Sequence, residues 1–377
     1  MGTISKVLVT GGAGFIGSWT TDLLIERDYE VTILDVLELQ VHQGNTPEYL
    51  NKEARFVKGD VRDRKLLTRL VKEVDAVIHL AAAVGVGQSM YQVEKYVNYN
   101  TNGTAALLDV LVNEKNDVRK LVVASSMSIY GEGKYRCEKC GENRYPEHRG
   151  DEQLGKKVWE PLCPKCNIPL KHLPTDEDKP LMPTSIYAMS KSHQEEMCLL
   201  IGKTYGIPTV ALRYFNVYGP RQALSNPYTG CVAIFSSRIL NGKPPYVFED
   251  GEQLRDFVHV KDIAKANLLA LEKSSADYMA VNIGSGKSIS ITKLADLLTE
   301  VYETETKPYV SQRYRKGDIR HCYADIKRAR ELLDYKPSMN IKEALMELAG
   351  WAKDHKWGAI DLFEKALREL EERKLAG

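Results

Sequence analysis

A short apolar run, Lys6-Val7-Leu8-Val9-Thr10, passes without a break into Gly11-Gly-Ala-Gly14-Phe15-Ile16-Gly17. Few arrangements accommodate that order. The run is too short for a helix and carries two valines, so it reads as a buried strand, and the glycines after it mark a tight turn. Ser18 to Arg27 then has helical character, and a second strand-like run, Glu30 to Leu34, ends at Asp35. Together these make the start of a strand–helix–strand unit. Glycines in such a turn let backbone N–H groups approach a pyrophosphate at the helix N-terminus, whose dipole favours the anion. Asp35 stands 18 residues beyond Gly17, where a carboxylate accepts both ribose hydroxyls and repels a 2′-phosphate, which favours NAD over NADP. Asp60 and Val61, in Gly59-Asp-Val-Arg-Asp63, follow the third strand and can meet the adenine; taken alone, an aspartate there is a turn residue.

Further strands are expected at 54–57, 76–80, 120–124 and 208–213, mostly separated by helical patterns. Strands of nearly continuous apolar character alternating with helices imply a parallel sheet covered on both faces. The expected fold is α/β, a Rossmann-type doubly wound parallel sheet with a smaller C-terminal substrate-binding region. Its expected division is residues 1–185 for NAD and 186–377 for substrate, the latter partly interleaved with the sheet. Residues 132–180, rich in charge, Pro, Gly and Cys, interrupt the first part as an insert. Gln222 to Tyr246 reads as a loop-bearing substrate region, and Ile341 to Lys374 as an amphipathic packing helix or pair.

The 377 residues carry 52 Lys plus Arg against 51 Asp plus Glu. That balance argues against wholesale binding to nucleic acid or a membrane surface. No run of about 18 apolar residues is present, and the N-terminus has no signal-peptide pattern. A cytoplasmic location is expected.

Tyr187 and Lys191 form Tyr-Ala-Met-Ser-Lys, whose i, i+4 spacing places both on one helix face. A free tyrosine, with a pKa of ~10, is a poor base at neutral pH. A neighbouring ammonium and a nicotinamide cation would favour the phenolate. Ser125-Ser126-Met127-Ser128-Ile129-Tyr130-Gly131, at a strand end, supplies hydroxyls for the same substrate oxygen.

These motifs, with His79-Leu80-Ala81-Ala82, Asn100-x-x-Gly103-Thr104, Arg213-Tyr-Phe-Asn216, Arg255-Asp-Phe-Val-His-Val260 and Arg315-Lys-Gly-Asp318, appear in one order. In that order the chain resembles an extended short-chain dehydrogenase/reductase of the nucleotide-sugar epimerase and dehydratase branch. The resemblance implies that Tyr187 is the acid/base on a sugar hydroxyl. Lys191 would lower its pKa and hold the nicotinamide ribose, and Ser126, helped by Ser128, would bind the reacting oxygen. It implies cofactor contacts from Gly11, Gly14, Phe15, Ile16, Gly17, Asp35, Asp60, Val61, Ala81, Ala82 and Asn100. Asn216, Arg255 and Arg315 would bind the substrate's diphosphate, with Asp318 orienting Arg315 or touching the nucleotide. A homodimer is expected on the same resemblance.

Dehydratases of this branch carry Asp-Glu after the small hydroxyl residue, and the decarboxylases a Glu where Ser128 stands. Met127 and Ser128 cannot do that work. A 4-epimerase with tightly bound, unconsumed NAD is therefore expected. The insert and the 222–230 segment resemble bacterial dTDP-L-rhamnose 4-epimerases; UDP-glucose/galactose or a UDP-uronic acid is the alternative substrate. A dehydratase and a non-catalytic NAD sensor are the lesser alternatives.

Cys137-x2-Cys140 and Cys163-x2-Cys166, with 22 residues between the pairs, are metal knuckles by pattern in a chain without an export signal. Four thiolates fill a tetrahedral shell and leave no place for a catalytic water, so a structural zinc is expected, in a zinc-ribbon-like flap or wall beside the substrate mouth.

Overall fold

The computed structural model describes residues 4–228, 230–355 and 359–377; Thr229 of the substrate loop and 356–358 of the C-terminal segment lie outside these. Seven parallel strands form one sheet: β1 Lys6–Thr10, β2 Glu30–Asp35, β3 Arg55–Lys58, β4 Ala76–His79, β5 Lys120–Ser126, β6 Thr209–Tyr214 and β7 Met279–Ile283. Their spatial order is β7-β6-β5-β4-β1-β2-β3. Strand order reverses between β1 and β4, which opens a crevice at the carboxyl ends of these strands. Helices α1 Phe15–Ile25, α2 Arg64–Val71, α3 Gly103–Asn113, α4 Ile186–Tyr205 and α5 Val260–Glu272 are the main helices joined to the sheet. Apolar clusters lie on both of its faces, which is why β4 and β6 are buried along their whole length.

Two elements depart from the sequence reading. Strand β7 was not expected, because Asn282 breaks its apolar run. The structure satisfies that buried amide: Asn282 accepts from the Tyr130 hydroxyl (2.7 Å) and donates to the carbonyls of Thr175 (2.9 Å) and Asp325 (3.2 Å). Helix α1 begins at Phe15 rather than Ser18, since Gly14, in an extended conformation, is its N-cap.

A second apolar core joins the helices Cys231–Leu240, Ile291–Val301 and Ile341–Asp354. Beside it, Leu254–Arg255 pairs with both Ile289–Ser290 and His321–Cys322. The insert is a three-stranded antiparallel sheet of Lys134–Arg136, Asn143–Arg144 and Lys171–Leu173, with its own small core of Tyr135, Cys137, Cys163 and Leu170.

Tight packing at the first turn fixes how α1 leaves β1. A Cβ on Gly17 would stand 2.2 Å from the Gly11 carbonyl oxygen, whereas one on Gly350, in the exposed part of a helix, would meet nothing within 4 Å. Gly17→Ala should therefore destabilise the fold by about 1–3 kcal/mol through overpacking. Gly350→Ala should stabilise it by about 0.5–1 kcal/mol by restricting the unfolded chain and favouring helix. Denaturation midpoints of the two variants, moving in opposite directions, check this.

Candidate active site

A cavity of about 640 Å³ runs from the glycine turn, past Ser126 and Tyr187, to Arg255 and Arg315. At its first end Gly11 has φ +72°, and a Cβ there would be 2.8 Å from the Ala81 nitrogen. The backbone of 11–17 can therefore lie against the Ala81 loop only with glycine at that position. The N-terminus of α1 has no side-chain cap, which leaves its first-turn N–H groups to an outside acceptor. Asp35, 8% exposed, accepts from Ala13 N (3.1 Å) and Leu37 N (2.9 Å). Those two bonds occupy about half of a carboxylate's acceptor sites. A turn without side chains, an uncapped helix and a carboxylate with spare lone pairs together fit a dinucleotide.

Phe15, Ile16, Asp60, Val61, Ala81 and Ala82 also line this end. The Asp60 carboxylate is held by the Arg62 side chain (2.9 and 2.5 Å) and its backbone N–H (2.8 Å), so its visible work is in the turn. Asn100 does not reach the wall. It is fully buried, donates to Ala83 O (3.0 Å) and Ser190 Oγ (2.8 Å), and accepts from Ala83 N (2.7 Å). Its amide thus ties the alanine loop to α4. The His79 motif has a similar place: its ring nitrogens lie 2.7 Å from Thr10 Oγ1 and 2.9 Å from Thr104 Oγ1. Burial, followed by the Lys191 charge, pushes His79 down to about 3, so it is neutral.

At the middle of the cavity, Ser185 caps α4 by accepting from Ala188 N (3.1 Å), and Ser89 Oγ accepts from Tyr187 N (3.0 Å). These bonds aim the start of α4, which carries Tyr187 and, one turn on, Lys191, into the crevice. The Ser128 hydroxyl donates to Ser126 Oγ at 2.9 Å. Burial raises the Tyr187 phenol above its ordinary value, and a hydrogen bond with Ser126 acts in the opposite direction. Burial pushes Lys191 down to about 8, against the neighbouring Cys198 and Glu195. Desolvation thus dominates at both residues.

At the far end, Arg255 and Arg315 share Asp318. Arg315 donates to Asp318 Oδ2 from Nη2 (2.6 Å) and Nε (3.1 Å), and Arg255 Nη2 donates to Oδ1 (3.3 Å). The Arg315 guanidinium also sits 4.6 Å from the Phe248 ring centroid. Among the described residues, Asn216 Oδ1, Gln222 Oε1, Gln253 Oε1 and Ser125 Oγ are buried without a hydrogen-bond partner, and all four residues line the cavity. Unpaired buried acceptors are costly and point to a polar ligand.

Gln222 lies in the expected substrate loop, whereas nothing in the sequence marks Gln253 or Tyr96, whose ring meets Tyr187 edge-on with centroids 6.3 Å apart. It also read the C-terminal helix Phe363–Glu372 as packing only, yet Phe363, Ala366, Leu367 and Leu370 line the cavity. Glu369 accepts from Tyr91 (2.8 Å) and Tyr228 (2.6 Å), which draws that helix over the opening. Heptad spacing signals an apolar face but says nothing about its partner.

The four cysteines converge, as the spacing requires. Their Sγ atoms all lie within 4.8 Å of one another, Cys140 and Cys163 at 4.0 Å. Tetrahedral ligation at about 2.3 Å places sulfurs about 3.8 Å apart, so the cluster suits such an ion. The knuckles are alike: Gly141 N bonds Cys137 O and Asn167 N bonds Cys163 O, each at 2.8 Å. A backbone N–H from Glu142 leads the lowering of the Cys140 thiol. Among the described residues, none of 132–180 lines the cavity, so the insert stands behind the site and forms no wall of it.

The family model described as the NAD dependent epimerase/dehydratase family matches residues 7–150 and 165–284, its gap falling inside the insert. A dTDP-L-rhamnose 4-epimerase of Burkholderia thailandensis is 34% identical, over 92% of this chain and 94% of its own. A solved UDP-glucose 4-epimerase of Thermotoga maritima, with UDP-glucose, superposes with a TM-score of 0.76 at 31% identity, covering 93% of this chain and 99% of its own. The UDP-glucuronic acid 4-epimerase of Bacillus cereus, with UDP-glucuronic acid and NAD, gives 0.75 at 28% identity and the same coverage. With the glycine turn, the Tyr187–Lys191 helix and the paired arginines all facing one cavity, the chain belongs to the NAD dependent epimerase/dehydratase family.

Proposed function

We propose that the protein is an NAD-dependent nucleotide-sugar 4-epimerase, with dTDP-L-rhamnose as substrate and dTDP-6-deoxy-L-talose as product. One observation carries the reaction type: the acids among the described cavity-lining residues are Asp35, Glu38, Asp60 and Asp318. Asp35 and Asp60 belong to the dinucleotide end, Glu38 pairs with Lys95 (2.8 Å), and Asp318 is taken by both arginines. Around Ser126 and Tyr187 stand Met127 and Ser128, which cannot supply the carboxylate acid and base that dehydration or decarboxylation needs. A ketone formed there has only the return of hydride open to it.

When bound, NAD supplies the hydride acceptor and a cationic nicotinamide. Tyr187 takes the proton of the C4 hydroxyl and later returns it to the oxygen, while Ser126, supported by Ser128, holds that oxygen through both half-reactions. Lys191 holds the nicotinamide ribose and, with the nicotinamide cation, offsets the burial that raises the phenol. Arg255, Arg315 and Asn216 hold the diphosphate while the sugar turns its opposite face. A neutral sugar is favoured over a uronate. With Arg255 and Arg315 assigned to the diphosphate and Lys191 to the ribose, Lys95 pairs with Glu38 and Lys316 with Asp151 (2.6 Å), which leaves no unassigned Lys or Arg among the described cavity-lining residues for a sugar carboxylate. The relative from Burkholderia thailandensis supports the rhamnose choice.

The cysteine cluster is proposed as a structural zinc site. A homodimer is the proposed assembly; Val86, Met90, Val93 and Val97, spaced three to four residues apart, are exposed by 45, 42, 45 and 38% and suit contact with a second copy.

Proton NMR of dTDP-L-rhamnose, UDP-glucose, UDP-galactose and UDP-glucuronate in D2O, without added NAD, tests the reaction. A C4-inverted product free of deuterium is expected from dTDP-L-rhamnose. Deuterium at C5 or a 4-keto-6-deoxy product overturns the reading. Tyr187→Phe should lower kcat by about 10²–10⁴-fold with bound NAD retained. Replacing Cys137 and Cys140 by Ser should remove one equivalent of zinc by elemental analysis; undiminished zinc would mean the metal sits elsewhere.

A further inference from the structure

The insert's most buried contacts reach Glu249 and the segment 318–321, on either side of Arg315. Arg149, between the two cysteine pairs, has a side chain only 2% exposed. Its guanidinium donates to Glu249 from Nη1 (2.8 Å) and Nη2 (2.9 Å), and Nη2 also donates to the Asp318 carbonyl (3.1 Å). Glu249 has φ +54°, a left-handed conformation that a non-glycine residue adopts only when its surroundings hold it. Arg149 holds it from one side, and Arg320 Nη1, at 3.2 Å, from another. Both groups fixed in this way support Arg315. Phe248, the residue before Glu249, lies beneath its guanidinium at 4.6 Å. Asp318, whose carbonyl Arg149 grips, binds Arg315 and Arg255 through its carboxylate. Other insert residues brace the same region: Glu160 accepts from Arg320 Nε (2.8 Å), and Asp151 accepts from Lys316 (2.6 Å).

We infer that Arg149 is a positioning residue for substrate binding, through which the insert clamps the 315–318 loop and sets the affinity of the cavity for a nucleoside diphosphate. The inference rests on the proposed role of Arg255 and Arg315 as diphosphate ligands. Its physical basis is preorganisation. Arg315 is 42% exposed along its side chain, so without its supports it would lose rotamer freedom on each binding event; with ring and carboxylate fixed, that cost falls on folding instead. The pair that fixes them is itself buried, where a charge cannot exchange its partner for water.

The test is calorimetric binding of UDP and dTDP to the NAD-loaded protein, with steady-state kinetics on the sugar substrate. Arg149→Lys keeps the charge but loses the fork that spans Glu249 and the Asp318 carbonyl. It should raise Kd for the diphosphates by about 3- to 30-fold and KM in parallel, with kcat within about twofold, the pattern of lost binding without lost transition-state contact. In an Arg315→Ala background the same substitution should add less than about twofold, because its route runs through Arg315. An unchanged Kd in Arg149→Lys, or full additivity with Arg315→Ala, overturns the clamp. If Arg315→Ala itself leaves both Kd values unchanged, the diphosphate reading fails instead. Should Arg149→Lys not fold, Arg149→Met with Glu249→Met removes both buried charges together and is read by the same criteria.

Discussion

The turn between β1 and α1 is the constraint on which the site depends. Gly17 sits so close to the Gly11 carbonyl that a side chain is excluded, and Gly11 itself needs a positive φ to lie against Ala81. Because these backbones touch, α1 leaves the sheet at one angle with its N-terminal N–H groups at the crevice. The loop after β4 is fixed by the same contact, and Asn100 then ties that loop to α4. Dinucleotide turn, alanine loop and Tyr187 helix are in this way set by one packing relation and one buried amide.

Charge is handled differently at the two ends of the cavity. Near Tyr187 the polar groups are buried: His79 is held neutral, and desolvation raises the Tyr187 phenol and lowers the Lys191 ammonium. Such surroundings strengthen the effect of any charge that enters with a ligand. At the other end the chain invests in permanent charge, where Arg255, Arg315, Arg149 and Arg320 interlock with Asp318, Glu249, Asp250 and Glu160. Fixed ion pairs and desolvated titratable groups thus occupy separate halves of one cavity.

Several motifs that stand out along the chain have work other than contact with a ligand. Arg213 pairs with Glu195 in the interior and donates to Tyr130, and Asn100 braces a loop. Single residues with strong chemistry are ambiguous in sequence because buried structural networks and ligand sites select the same side chains. Gln222 and Gln253 illustrate the converse. Each is an ordinary glutamine until the fold buries its carbonyl oxygen on a cavity wall, without a partner among the described residues. Strand β7 was hidden for a related reason, since Asn282 reads as a break until Tyr130, Thr175 and Asp325 are found around it.

Sequence alone determined what depends on local spacing: the glycine turn with Asp35, the alternation that implies a parallel sheet, the helix face shared by Tyr187 and Lys191, and the two cysteine knuckles. Only the tertiary structure decided what depends on contacts between distant segments. The C-terminal helix covers the cavity because Glu369 meets Tyr91 and Tyr228, 278 and 141 residues away. The insert stands behind the arginine loop because Arg149 reaches Glu249, 100 residues on, and Asp318, 169 residues on. Such pairings leave no periodicity in the sequence, since the residues between them fold into other elements, and a buried ion pair is recognisable only once both partners have been removed from water.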